Sequence, residues 1–120
     1  MTPTRVEIVP ARRAGVTGYA NVGRGTLLGN PYQVGTRVLS RSQYVTISSP
    51  SIAVALFLGY WNDPTNDGLH RIALALLSRD WPDGVVRLGC PCNGVEKGLP
   101  CHATVIKEYL EAEIARRAEK

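Results

Sequence analysis

The sequence predicts a small single α/β domain, residues 1–120, with a short, mainly parallel sheet flanked by helices in a Rossmann-like three-layer arrangement. Three observations carry this expectation. Short β-type runs alternate with helical patterns in the order strand, long loop, helix, helix, strand, helix. A chain of 120 residues suits one hydrophobic core, and two would be crowded. The apolar fraction of 44% and charged fraction of 20% are those of an ordinary globular chain rather than a disordered one. There is no internal repeat and no low-complexity tract.

Val6-Glu7-Ile8-Val9 is a short β-type run stopped by Pro10. A glycine-rich stretch follows, with Gly15, Gly18, Gly23, Gly25 and Gly29 and almost no periodic apolar signal, closed by Asn30-Pro31. Between Arg37 and Ile47 the pattern allows a small hairpin. Ser49-Pro50 followed by Ser51 to Leu58 reads as an N-cap, a proline in the first turn and a helix. This helix is apolar nearly all round and is expected to be central. A loop from Asn62 to Gly68 leads to a second helix, with Leu69, Ile72, Ala73 and Leu76 on one face. Trp81-Pro82-Asp83-Gly84 is a turn launching the strand Val85 to Leu88. The last helix starts near Cys101, with Val105, Ile106, Tyr109, Leu110 and Ile114 facing inward. Trp61 and Trp81 flank loops and are expected at the core edge. His70 has no partner pattern and reads as structural or exposed.

The charge is unevenly spread. Residues 1–41 hold Arg5, Arg12, Arg13, Arg24, Arg37 and Arg41 against the single acid Glu7, whereas the remainder is close to neutral. Arginine presents a flat fork of donors that matches phosphate and carboxylate. A surplus of this kind attracts anionic partners. The longest apolar run, Ile52 to Trp61, is half the roughly 20 residues a membrane helix needs. The start of the chain lacks the apolar stretch of a secretory signal, so a cytoplasmic protein with no membrane partner is expected.

Two segments carry the chemistry. The first contains Gly23-Arg24-Gly25-Thr26 and ends at Asn30. It is neither a Walker loop nor a Rossmann fingerprint. Its backbone could form an anion-binding nest at Gly25, with Arg24 aimed at a phosphate or carboxylate and Asn30 fixing an amide or sugar hydroxyl. The second segment contains Cys90, Cys92, Cys101 and His102. An odd number of cysteines without an export signal argues against a disulfide framework. Cys101-His102 at a helix start meets amide N–H groups and a dipole that favour anions and lower a thiol pKa. Both segments follow strands, so they can share the sheet edge where α/β proteins bind ligands. The ligand-binding set expected there is Arg24, Gly25, Asn30, Cys90, Cys101 and His102. Three cysteines and a histidine are also one complement for structural zinc, which leaves Cys90, Cys92, Cys101 and His102 as an alternative metal site. Plain packing of Cys90 and Cys92 at a strand end is the third reading.

Asn21-Val22-Gly23-Arg24-Gly25-Thr26-Leu27-Leu28-Gly29-Asn30-Pro31-Tyr32 resembles the signature loop of an uncharacterised bacterial and phage family, domain of unknown function 4326. Leu88-Gly89-Cys90-Pro91-Cys92 and Pro100-Cys101-His102-Ala103 are similar to the Cys-x-Cys and Cys-His elements of the same family. Pro91 stands where the family usually has Trp, and the loop of residues 93–99 is longer than usual. The resemblance implies a shared site rather than an activity, and a bacterial or phage source.

Three functions are therefore expected to compete. One is binding of an anionic small molecule, a nucleotide or nucleotide derivative, with or without turnover. The second is a zinc-stabilised module contacting nucleic acid or protein. The third is a phage accessory protein that sequesters a ligand without turning it over. Within the two motif segments the only acid is Glu96, so no carboxylate acid/base pair is visible there. Without a series of exposed aromatic and basic residues, nucleic acid is expected to bind only weakly and without sequence preference.

Overall fold

The structure is a computed structural model that describes residues 3–10, 20–22, 28–32, 34–40, 42–79, 81, 83–90 and 101–119, the side chains of Pro10, Asn21, Ser40 and Cys90 excepted. Among the described residues the elements run β1 (Arg5–Pro10), β2 (Ala20–Asn21), β3 (Arg37–Ser40), β4 (Gln43–Thr46), α1 (Pro50–Asn62), α2 (Asp67–Ala75), β5 (Val85–Cys90) and α3 (Ala103–Ala118). Single 3₁₀ turns flank α2 at Pro64–Asn66 and Leu76–Ser78. Strands β1, β5 and β2 form a parallel sheet in that order, and β3 and β4 form a separate antiparallel hairpin. The α/β class and the short parallel sheet are those the sequence predicts.

The central strand is β5, the most apolar of the three, pairing Val6 with Val86 and Ile8 with Leu88 on one side and Ala20 with Leu88 on the other. Side chains alternate across a strand, so Val6, Ile8, Ala20, Val22, Val86 and Leu88 share one face. All but Ile8, which is partly buried and packs against it, belong to a single core cluster with Phe57 and Trp61 of α1, Leu69 and Ala73 of α2, and Ile106 and Leu110 of α3. Leu88, Ile106 and Leu110 are fully buried, each burial contributing about 1.5–3 kcal/mol before chain entropy is counted. The opposite face carries Glu7 and Arg87, joined at 3.8 Å.

β2 is the element that the sequence does not predict. Two residues in a glycine-rich stretch have no strand propensity of their own, and the pairing comes from β5. Val22 N–H extends it by donating to Gly89 C=O at 2.8 Å. The hairpin falls where expected, and Ser42 in its turn has a φ of 67°, the left-handed backbone that a two-residue hairpin loop requires.

The helices follow their sequence signals with one difference. Ser49 caps α1, its hydroxyl accepting from Ile52 N–H at 3.3 Å, and Pro50 opens the first turn. Yet α1 is not central: it buries Ala53, Phe57 and Trp61 on one face and exposes Ser51, Ala55, Leu58 and Gly59 on the other. The exposed positions are mostly small, so leaving them in water costs little. In α2 and α3 the predicted stripes do face the core. Both tryptophans lie within the core rather than at its edge, and Trp81 indole N–H donates to Leu76 C=O at 2.7 Å. His70 is structural. Its Nε2–H donates to Trp61 C=O at 2.9 Å, and its ring lies 4.5 Å from that of Trp61 and 4.8 Å from that of Tyr109, which ties α1, α2 and α3 together.

The start of β5 is set by Asp83. Its carboxylate accepts from Val85 N–H at 3.3 Å and from both terminal nitrogens of Arg87, at 3.1 and 2.5 Å. The hydrogen bonds from Arg87 hold the Asp83 carboxyl down at about 2. The folded value is below the ordinary one, so this contribution to stability is present above about pH 4 and fades as pH falls toward about 2. A carbon-detected NMR titration is expected to find Asp83 protonating near the lower value in the native protein. Arg87→Gln should return it toward the ordinary carboxylate range. No helix of the described residues is long and apolar enough to cross a membrane.

Candidate functional site

The three parallel strands end almost level. Val9 of β1 and Asn21 of β2 both pair with Gly89, and Pro10 pairs with Cys90. Their carboxyl ends therefore form one edge. Residues 11–19, 23–27 and 91–100, among them Arg24, Gly25 and Cys92, lie outside the described residues. The backbone of Cys90 is the last residue of β5, on this edge.

The chain returns to this edge at Cys101-His102. His102 is 6% exposed and occupies the N-cap position of α3, but its side chain makes no capping bond. Its Nε2 instead lies 2.5 Å from Val22 C=O, eighty residues away. A carbonyl can only accept, so Nε2 carries the proton, and in the neutral ring Nδ1 is left as the lone-pair nitrogen. The ring also meets Phe57 of α1 edge-on, with centroids 5.1 Å apart. The start of α3 is thus locked to the end of β2 and to α1 at once. The helix tightens there, since Thr104 N–H donates to Cys101 C=O and Val105 N–H to His102 C=O, both at 3.0 Å. Cys101 is 3% exposed and lies within the core cluster.

Asn30 plays a matching part at the far side of the glycine loop. It is 6% exposed; its amide NH₂ donates to Ala53 C=O at 3.2 Å and its Oδ1 accepts from Tyr32 N–H at 2.9 Å. The side chain joins the loop to α1 and turns the chain toward Tyr32, as asparagine side chains commonly do in turns. Leu28, just before it, is buried in the core. The segment carrying Arg24 and Gly25 therefore leaves from one buried residue, Val22, and rejoins the core at another, Leu28. Both are fixed by contacts to elements far away in sequence.

Asn30, Cys101 and His102 are all buried, and the side chains of Asn30 and His102 bond to backbone, which the sequence does not show. Of the expected zinc set, the Cys101-His102 pair and the backbone of Cys90 are among the described residues, and Cys92 is not. Among the described residues no three His, Cys, Asp or Glu side chains cluster around a common point.

A short parallel sheet whose carboxyl edge is joined to a helix start by a side chain-to-backbone bond defines a small α/β domain. The chain belongs to the family described as domain of unknown function (DUF4326), which it matches over residues 11–112. That span takes in both motif segments. No curated protein and no solved structure matches the chain.

Proposed function

We propose that this protein binds an anionic small molecule of the nucleotide class at the carboxyl edge of its parallel sheet. In this reading Arg24 and the backbone at Gly25 hold the phosphate or carboxylate, and the start of α3 adds the favourable end of its dipole. Cys90 ends β5 at this edge and Cys101 precedes α3 there, while Asn30 and His102 hold its shape through their backbone bonds. The observation that supports this most is the His102–Val22 hydrogen bond, because it ties the start of α3 to the residue from which the Arg24 segment departs. Binding needs fewer groups than turnover, and with Glu96 the only acid in either motif segment, a carboxylate acid/base pair is not available from them. A protein that sequesters its ligand without turnover, as the phage resemblance suggests, is a form of the same proposal.

Zinc is the second reading, and one observation favours it. A metal-bound histidine commonly donates its other ring N–H to a backbone carbonyl, which is what His102 Nε2 does toward Val22. Nδ1 would then join Cys90, Cys92 and Cys101 on the ion. Native mass spectrometry of the purified protein separates the two readings, since it weighs metal and retained ligand together. The expected spectrum has well under one zinc per chain and, where a ligand is carried through purification, an added mass in the nucleotide range. A stoichiometric zinc that resists mild chelation, and whose removal unfolds the protein, would establish the metal site instead.

A further inference from the structure

The β3–β4 hairpin lies apart from the parallel sheet and has two unlike faces. Val38 and Val45, paired across it, are half-buried, and the ladder continues into buried Ile47 through bonds with Gly35 and Thr36. The next pair, Leu39 and Tyr44, points the other way and is open to solvent, with 64% and 72% exposure. Arg37 shares that face, two residues before Leu39, and its guanidinium lies 5.5 Å from the centre of the Tyr44 ring. The hairpin thus presents an aromatic ring, an aliphatic side chain and a fixed cation side by side.

Charge decides what such a face fits. No aspartate or glutamate occurs between Glu7 and Asp63, while Arg12, Arg13, Arg24, Arg37 and Arg41 all fall in that interval. The hairpin and its flanking chain therefore offer cations with no acid of their own to neutralise them, which complements a polyanion. A polyanion whose repeating units carry flat apolar faces is a nucleic acid. A tyrosine ring can stack only on a base that is not already stacked inside a duplex, so the complementary form is single-stranded.

We propose that the outer face of the β3–β4 hairpin binds single-stranded nucleic acid, with Tyr44 stacking on one base, Leu39 packing beside it and Arg37 pairing with the adjoining phosphate. One ring and one cation make a weak, sequence-tolerant contact. The proposal is independent of the ligand reading for the sheet edge.

The test is fluorescence anisotropy with a labelled oligothymidine of about 20 nucleotides, long enough to span such a groove, and the same strand annealed to its complement. Wild type should bind the single strand in the micromolar range at low salt and the duplex more weakly. Tyr44→Ala should weaken single-strand binding about tenfold, as expected for loss of one stacked base, and Tyr44→Phe should restore it. Arg37→Ala should lower the slope of log affinity against log salt by about 0.7, one phosphate's share for a single strand. The Tyr44 side chain is mostly in water, so these variants should melt like wild type, which thermal unfolding checks. Equal affinity for duplex, or full binding by Tyr44→Ala, overturns the proposal. So does a dimer, seen by light scattering of the protein alone, that Tyr44→Ala dissociates, because that assigns the face to a second copy of the chain.

Discussion

His102→Ala is expected to destabilise the folded protein by about 2–4 kcal/mol, the sum of an unsatisfied buried carbonyl and a lost ring contact. The buried Val22 carbonyl accepts from His102 Nε2. Removing the donor leaves it facing apolar neighbours, which costs about 1–3 kcal/mol. The imidazole also packs edge-on against Phe57, which is fully buried and touches the rings of Tyr60 and Trp61 as well. For a domain of this size the combined loss corresponds to a fall in Tm of roughly 8–15 °C. His102→Gln keeps a donor without the ring and should recover part of it. Urea unfolding followed by tryptophan fluorescence reads the change directly, since both tryptophans sit in the same core. Because His102 and Phe57 are in contact, truncating both should cost less or more than the two single changes together. A His102→Ala variant that unfolds at the wild-type midpoint would mean that this bond does not hold α3 to β2.

How much of this was legible in the sequence depends on the range of the forces involved. The stripes of α2 and α3, the N-cap at Ser49 and the strands around Val6 and Val86 are local patterns, repeating within a few residues, and each is found where its pattern predicts. The two-residue strand β2 is not local: Ala20 and Asn21 become a strand because β5 offers hydrogen bonds and Leu88 offers an apolar neighbour. Helix α1 misleads for a different reason. Its outward positions are Ser51, Ala55, Leu58 and Gly59, which add no charged residue to mark the solvent side, so the helix reads as apolar nearly all round although only one face is buried.

At the site, residue types were more legible than partners. Asn30 and His102 stand out in their motifs, but the backbone groups they bind lie 23 and 80 residues away. No spacing rule reaches that far. The face formed by Arg37, Leu39 and Tyr44 was within reach, since alternation along each hairpin strand puts Arg37 with Leu39 and Tyr44 with Thr46. No run of aromatic and basic residues marks it, because Arg37 and Tyr44 meet across strands rather than along one.

Arg24→Ala carries the second large effect. The proposal gives Arg24 a task toward the ligand and none in the unliganded fold, so the variant should melt close to wild type when nothing is bound. A charge-assisted hydrogen bond to a phosphate contributes about 1.5–3 kcal/mol, so its loss should weaken binding by roughly tenfold or more. The effect is read through stability. A ligand present at about 100 times its Kd adds roughly 2.7 kcal/mol of apparent stability, and a tenfold rise in Kd removes about half of that. The most direct measurement is therefore a thermal-unfolding series of wild type and Arg24→Ala against mononucleotides, cyclic dinucleotides and sugar phosphates. The account predicts that at least one of these anions raises the wild-type Tm by several degrees and that Arg24→Ala, equally stable alone, loses about half of the rise or more. If Arg24→Ala keeps every shift that wild type shows, or no anion in the series moves the wild type, the carboxyl edge of the sheet is not the binding site proposed.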